Sequence, residues 1–185
     1  MRPRLVIPEY WSMRRGALEA PVLPVMGVSV HPSGKQAHAV LAWQQSDGSI
    51  AVEVTGTALG NPINTTDFAV DLLERVEEAG VTMVAFDPWT DKHLARHFPA
   101  IQPIQGAEFA NASERFVRAV ETGAIRWQHA DAISAELPYT SRRATTGISF
   151  MAEADRPERP ITAVLAAIRA VWLASAPAQG RATVY

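Results

Sequence analysis

The sequence contains no cysteine, which excludes disulfides, thiolate metal ligands and a cysteine nucleophile. No apolar run reaches membrane-spanning length, and nothing after the N-terminal arginines reads as the apolar core of a signal peptide. Excess positive charge is missing too: 17 Lys and Arg stand against 19 Asp and Glu, for a formal net charge of −2. No global field draws such a chain to nucleic acid, so any DNA contact must rest on a local patch. Internal repeats are absent. What remains is apolar and of ordinary domain size. Hydrophobic residues make up 48% of the 185 positions and charged residues 19%, a balance that supports a packed core rather than a disordered chain.

One stretch organises the rest: Val81-Thr-Met-Val-Ala-Phe-Asp87-Pro-Trp89. An apolar run of strand length stops at a single carboxylate, and Pro88 blocks further ladder hydrogen bonds. A residue just past the end of a buried strand lies at the rim of a sheet, where α/β proteins place their sites. Asp87 can therefore bind a ligand, or can simply cap the following turn together with Thr90 and Asp91.

Around that stretch the chain reads in order. Residues 1–24 hold four prolines and read as a tail or linker with a short helix near 10–19; Trp11 and Met13 point to packing on some domain. Strands are expected at 25–31, 36–44 and 50–55, joined by Pro32-Ser33-Gly34 and by a hairpin turn at Asp47-Gly48. A loop at 56–62 precedes a helix capped by Asn64 or Thr65. Phe68, Leu72 and Val76 share its inner face, and Gly80 ends it. The Asp87 strand follows and should lie parallel to the first strand. A short helix is expected at 90–98, an edge strand at 101–104 interrupted by Pro103, a helix at 106–122 and a small strand at 125–129. A helical turn at 131–137, a hairpin at 139–151, a connector at 156–160 and a final helix at 161–175 complete the domain, 25–175. Residues 176–185 read as a C-terminal tail. The order predicts a ribonuclease H-like α/β plan: a mixed five-stranded sheet of three antiparallel strands followed by parallel ones, flanked by helices, with an appended hairpin and C-terminal helix.

At this point the chain resembles the nuclease domain of phage terminase large subunits, of the actinobacterial prophage type. The residues that carry the resemblance are Val25-Met-Gly-Val-Ser-Val-His-Pro-Ser-Gly34, Ala39-Val-Leu-Ala-Trp43 with Asp47-Gly48, and Val84-Ala-Phe-Asp-Pro88. Phe109 to Ala119 with Thr122-Gly-Ala-Ile-Arg-Trp-Gln-His129, and Ile161-Thr-Ala-Val-Leu-Ala-Ala167 through Trp172, extend it over roughly residues 22 to 175. No Gly-rich phosphate loop of the Walker type is present, so the ATPase half of a terminase is missing.

The resemblance implies a two-metal endonuclease that uses Mg²⁺ or Mn²⁺ to cut viral DNA during packaging. It implies double-stranded DNA as partner, with a terminase ATPase domain, a small terminase subunit or a portal beside it, in the cytoplasm of a host cell and away from any membrane. The family pattern has one Asp at the end of strand one, a second after strand four and a third at the start of the last helix. Asp87 matches the second. Ser29 stands at the first, and Pro160 or Thr162, depending on register, at the third. One carboxylate is a poor cage for a hard divalent ion, so cleavage is expected to be impaired or lost, and no cofactor is needed if so. Conceivable substitutes are His31, Glu153 and Asp155, which otherwise read as a turn residue and solvated loop charges. His93 and His97 have zincin spacing without the accompanying Glu and read as surface residues. Arg142 and Arg143 sit on the hairpin among four hydroxyls. They suit phosphate contact, or form a solvated turn; Lys35 is a weaker candidate.

Two further readings stand beside the nuclease. One is a non-catalytic ribonuclease H-like binding or structural module, from a decayed prophage or an engineered chain. The other is an unrelated small α/β binding domain.

Overall fold

The structure, a computed structural model, describes residues 2–147 and 149–176. A short helix α1 (Pro8–Ser12) precedes three strands, β1 (Val25–Val30), β2 (Gln36–Gln44) and β3 (Ile50–Leu59). Helix α2 (Thr65–Ala79), strand β4 (Val84–Phe86), helix α3 (Lys92–Ala95) and strand β5 (Ile101–Pro103) follow. Then come α4 (Gly106–Thr122), β6 (Ile125–Trp127), α5 (Asp131–Glu136) with a 3-10 turn at Leu137–Tyr139, the hairpin β7 (Thr140–Ala144) and β8 (Phe150–Ala154), and α6 (Thr162–Ala174).

Six strands form one mixed sheet in the order β5-β4-β1-β2-β3-β6. β1 to β3 are an antiparallel meander, and β4 lies parallel to β1 with Met26 opposite Val84. β1 occupies the middle, and every residue of it is buried, as its near-continuous apolar run requires. Alternation along the strands separates two cores. Met26, Val28, Val84 and Phe86 pack toward α2 and α3. Val25 and Ala85 pack with α4, α5 and α6 on the other face. Gly27 shares that second face, and α6 runs directly over it. A Cβ on Gly27 would collide with Ala166 O and lie 2.8 Å from Ala170 N. Glycine is thus required for helix and strand to approach at backbone distance.

The sheet has six strands where five were expected. The short run at 125–127 joins the outer edge parallel to β3, with Ile50 opposite Ile125. β3 also extends to Leu59, through a segment whose Gly56 reads as a loop. The register shifts beside Ala39/Val40, opposite Val54 and Gly56, and a Cβ on Gly56 would lie 2.6 Å from Leu72 Cδ2. This glycine serves a bulge and a close helix approach, not a loop. β4 is shorter than its apolar run, because Val81 N–H bonds Val76 O (2.9 Å) in the α2 terminus and Thr82 N–H bonds Pro24 O (2.9 Å). Gly80 does end α2 in the left-handed conformation, and Asn64 is the cap, accepting from Thr66 and Asp67. The helix expected at 10–19 is shorter and earlier, at α1, and the hairpin forms its own two-stranded sheet.

Residues of the N-terminal segment lie in the same core. Leu5, Val6 and Trp11 are buried. Trp11 stacks on Trp127 with ring centroids 5.2 Å apart. Leu5 N–H bonds Thr140 O at 2.9 Å, and Gly16 N–H bonds Trp127 O at 3.0 Å, so the segment covers the hairpin and the β6 edge that would otherwise stay open. The C-terminal tail expected at 176–185 lies outside the described residues except for Ala176. No helix among the described residues is long and apolar enough to cross a membrane.

Candidate functional site

The parallel register carries Ser29 of β1 and Asp87, just past β4, to adjacent strand ends on the face covered by α6. Asp87 does both things its sequence position allows. Its Oδ1 accepts the N–H groups of Trp89 (2.8 Å) and Thr90 (3.3 Å), shaping the turn. Its Oδ2 accepts from Arg169 Nη2 of α6 at 3.2 Å. Asp91, four residues on, lies deeper and is fully buried. Its Oδ1 accepts Val30 N–H at 2.7 Å and Thr90 Oγ1–H at 2.9 Å; its Oδ2 accepts Asp87 N–H at 2.7 Å. One carboxylate thus ties the end of β1 to the end of β4. Arg169 Nη1 stands 3.6 Å from Asp91 Oδ2 and 3.5 Å from Val28 O, and the guanidinium lies over the Phe109 ring at 4.9 Å.

Burial is the largest electrostatic influence on this group. It pushes the Asp91 carboxyl up, against the pull of Arg169 and of the three donors. It pushes Arg169 down, against the pull of Asp91 and Asp87. The ion pair survives because each member supplies what the other lost in leaving water. Asp87 is the member that reaches solvent, with 24% of its side chain exposed.

A second polar cluster adjoins it, since Ser29 pairs with His38 across β1 and β2. His38 Nδ1 is 2.8 Å from Thr162 Oγ1. Gln36 Nε2 donates to Glu136 Oε1 (2.9 Å) and to Thr162 Oγ1 (3.1 Å). Glu136 Oε2 accepts Val164 N–H at 3.0 Å, capping α6 where Ile161 offers no side-chain cap. Burial lowers His38 to about 4 and raises Glu136 to about 7. The cluster borders a groove of about 490 Å³ rimmed by Tyr139 and Arg159.

The remaining sequence candidates are dispersed. Thr162 opens α6, whereas Pro160 precedes it in the connector. Glu153 pairs with Arg2 and, at 3.5 Å, with Arg143; Asp155 pairs with Arg159 at 3.7 Å. Among the described residues neither gathers with Asp87 into a group of three that could hold a metal ion. His31 belongs to its turn, with Nδ1 2.7 Å from Ser33 Oγ and Nε2 3.2 Å from Pro157 O. Arg142 bonds Leu5 O through Nε (3.2 Å) and Nη2 (3.0 Å) and lies over Phe150. Arg143 and Lys35 are exposed.

In the sequence Asp91 reads only as part of the turn after Asp87, and Arg169 and Glu136 do not read as site residues. Arg169 left one trace: it is the single charged residue of a helix otherwise built from apolar residues and Thr162. Asp91 looks like any turn aspartate, and nothing local marks Glu136.

No protein-family model and no curated protein matches the sequence. Solved structures do match. The HK97 bacteriophage large terminase superposes with a TM-score of 0.77 at 12% identity, covering 94% of this chain and 44% of that one. The large terminase nuclease from thermophilic phage G20c gives 0.62 at 15% identity, with 80% of each chain covered. The nuclease domain of the large terminase subunit gp2 of bacterial virus Sf6 gives 0.62 at 11%, covering 95% of this chain and all of that one. The fold is that of the ribonuclease H-like large-terminase nuclease domain. The chain spans less than half the length of the HK97 protein.

The G20c nuclease has been solved with bound magnesium and a point mutant of the Sf6 domain with manganese. The donor set here does not suit such ions. Among the described residues no three His, Asp or Glu side chains gather where they could hold one. At the strand ends, the two carboxylates already face a guanidinium. Ser29 and Thr162 are neutral, and Thr162 is engaged by His38 and Gln36. A hard divalent ion needs several anionic oxygens to offset its dehydration, and this site offers no free pair.

Proposed function

We propose that this chain is the nuclease-type domain of a phage DNA-packaging terminase in which metal-dependent cleavage has been lost or strongly impaired. The observation that carries the reading is the Asp87–Arg169 pair at 3.2 Å: the one strand-end acid at a family position is neutralised by the protein itself. Two-metal hydrolysis needs carboxylates that hold cations about 3.5–4 Å apart. Ser29 and Thr162 supply no charge toward that. What the domain keeps is a rigid scaffold, with the exposed Arg143 and Lys35 suited to phosphate contact. Its partners in this reading are double-stranded DNA and the ATPase domain, small subunit or portal of a packaging machine.

The test is a supercoiled-plasmid assay with Mg²⁺ and with Mn²⁺, run beside Asp87→Ala. The expected result is no nicking above background for either protein. Robust cutting that Asp87→Ala abolishes would overturn the reading.

A further inference from the structure

Three oxygens ring the Arg169 guanidinium: Asp87 Oδ2 at 3.2 Å, Asp91 Oδ2 at 3.6 Å and Val28 O at 3.5 Å. They come from β1, from the end of β4 and from the turn that follows it, three points that the sheet register holds rigidly. Their other lone pairs are largely spoken for. Asp91 Oδ1 takes Val30 N–H and Thr90 Oγ1–H, its Oδ2 takes Asp87 N–H, and Asp87 Oδ1 takes Trp89 and Thr90 N–H. The open acceptor directions of the two carboxylates therefore converge on one spot, and a cation stands there.

Beyond these oxygens the cation has one further favourable contact, the face of the Phe109 ring at 4.9 Å. Arg169 is 3% exposed, and its Nε, buried with it, has no partner. Its helix is otherwise apolar apart from Thr162, so no solvent-facing role accounts for an arginine at this position. A buried guanidinium with an unsatisfied donor is costly unless two anions require it.

We propose, resting on the reading of this crevice as a degenerate nuclease site, that Arg169 is its resident cation. The guanidinium holds the place of a divalent ion, and its removal uncovers a divalent-cation site formed by Asp87, Asp91 and the Val28 carbonyl. The oxygen donors are hard, as Mg²⁺ and Mn²⁺ prefer. Two are anionic, so replacing one positive charge by two turns a local net charge of −1 into neutrality. The solvent-exposed edge of Asp87 gives a hydrated ion its way in. The arginine makes the strand-end junction independent of metal supply, and it blocks the site by charge and by volume.

The experiment measures binding, not cleavage, so it fails separately from the plasmid assay. Wild type, Arg169→Met and Arg169→Lys are titrated with Mn²⁺ and with Mg²⁺ by calorimetry and by Mn²⁺ electron paramagnetic resonance, with thermal melts in metal and in chelator. Wild type is expected to bind neither ion at millimolar concentration and to melt at the same temperature in both conditions. Arg169→Met is expected to melt lower in chelator, to regain several degrees in millimolar Mn²⁺, and to lose that gain when Asp87→Asn is added. Arg169→Lys, which restores a cation, is expected to ignore Mn²⁺. Uptake of Mn²⁺ by wild type that Asp87→Asn removes would overturn the proposal. So would a folded Arg169→Met that binds no metal. If Arg169→Met does not fold in either condition, Arg169→Lys decides: a melt unmoved by Mn²⁺ supports the proposal, and a melt raised by it overturns the proposal.

Discussion

Gly27 leaves no room for a Cβ beneath the carbonyl of Ala166, one turn before Arg169 on the helix that crosses β1. That contact sets how deeply α6 sits, and so whether the Arg169 guanidinium reaches the strand ends. Gly27→Ala adds a methyl group that can only be admitted by moving backbone. It is expected to destabilise by about 1–3 kcal/mol, the usual cost of overpacking. Equilibrium urea unfolding gives the size. An amide spectrum that shifts around Asp87 and Asp91 would show the helix lifting from the site.

The two aspartates should behave differently when truncated. Asp91→Ala strands Val30 N–H, Asp87 N–H and a buried guanidinium at once, and is expected to cost about 3–5 kcal/mol. Asp87→Ala leaves Asp91 to neutralise Arg169 and opens a partly solvated position, so about 1–2 kcal/mol is expected. The measurement is denaturant unfolding of both variants under one set of conditions. Equal losses would mean that Asp87, not Asp91, is the main counter-ion of Arg169.

These two residues also mark what the sequence discloses. Asp87 is legible because an apolar run that ends on Asp-Pro has to stop at a sheet rim. The crossover helix α2 was legible too, since a cap, a 3.6-residue stripe and a terminal glycine agree. Asp91 was not, because its partners are backbone N–H groups of Val30 and Asp87, one of them 61 positions away. Arg169 lies 82 positions from Asp87, and periodicity places a residue on a face without saying what it meets there. Gly56 misled for a physical reason: glycine serves a loop, a bulge or a close approach equally well. The strand at β6 was legible, but its place as a sixth strand was not, because a run of three residues does not say which edge it pairs with, here β3.

Arg142 and Arg143 are neighbours in sequence that the strand sends to opposite faces. Arg142 bonds Leu5 O twice and lies 4.7 Å from the Phe150 ring centre. Arg142→Ala is expected to cost about 1–2 kcal/mol by freeing the N-terminal segment. Arg143 is exposed, and Arg143→Ala should change stability by less than about 0.5 kcal/mol. If the domain meets duplex DNA as proposed, Arg143→Ala should weaken binding alike for every sequence and lower the log–log salt slope by about 0.9. Fluorescence anisotropy across a salt series reads it. An unchanged slope assigns Arg143 to the hairpin surface alone.

The buried pair beside the strand ends makes a prediction about pH whose sign differs between its members. Glu136 is raised from 4.5 to about 7. Between those values the folded state holds more of its proton than the unfolded state, so this contribution to stability falls as pH rises. His38 is lowered from 6.5 to about 4. Between those values the unfolded state binds more protons, so this contribution rises with pH. In the wild type the two slopes oppose each other across roughly pH 4.5–6.5 and largely cancel. Glu136→Gln removes the falling component. Its stability relative to wild type is expected to improve from pH 4.5 toward 7, by up to about 3 kcal/mol, on top of a constant loss for the altered hydrogen bonds to Gln36 and Val164. His38→Gln removes the rising component, and its stability relative to wild type should decline over pH 4–6.5 by a similar amount. Urea unfolding of the three proteins at stepped pH separates the slopes from the offsets. Parallel curves for all three would mean that neither group changes its protonation on folding, and that the cluster is held by its hydrogen bonds alone.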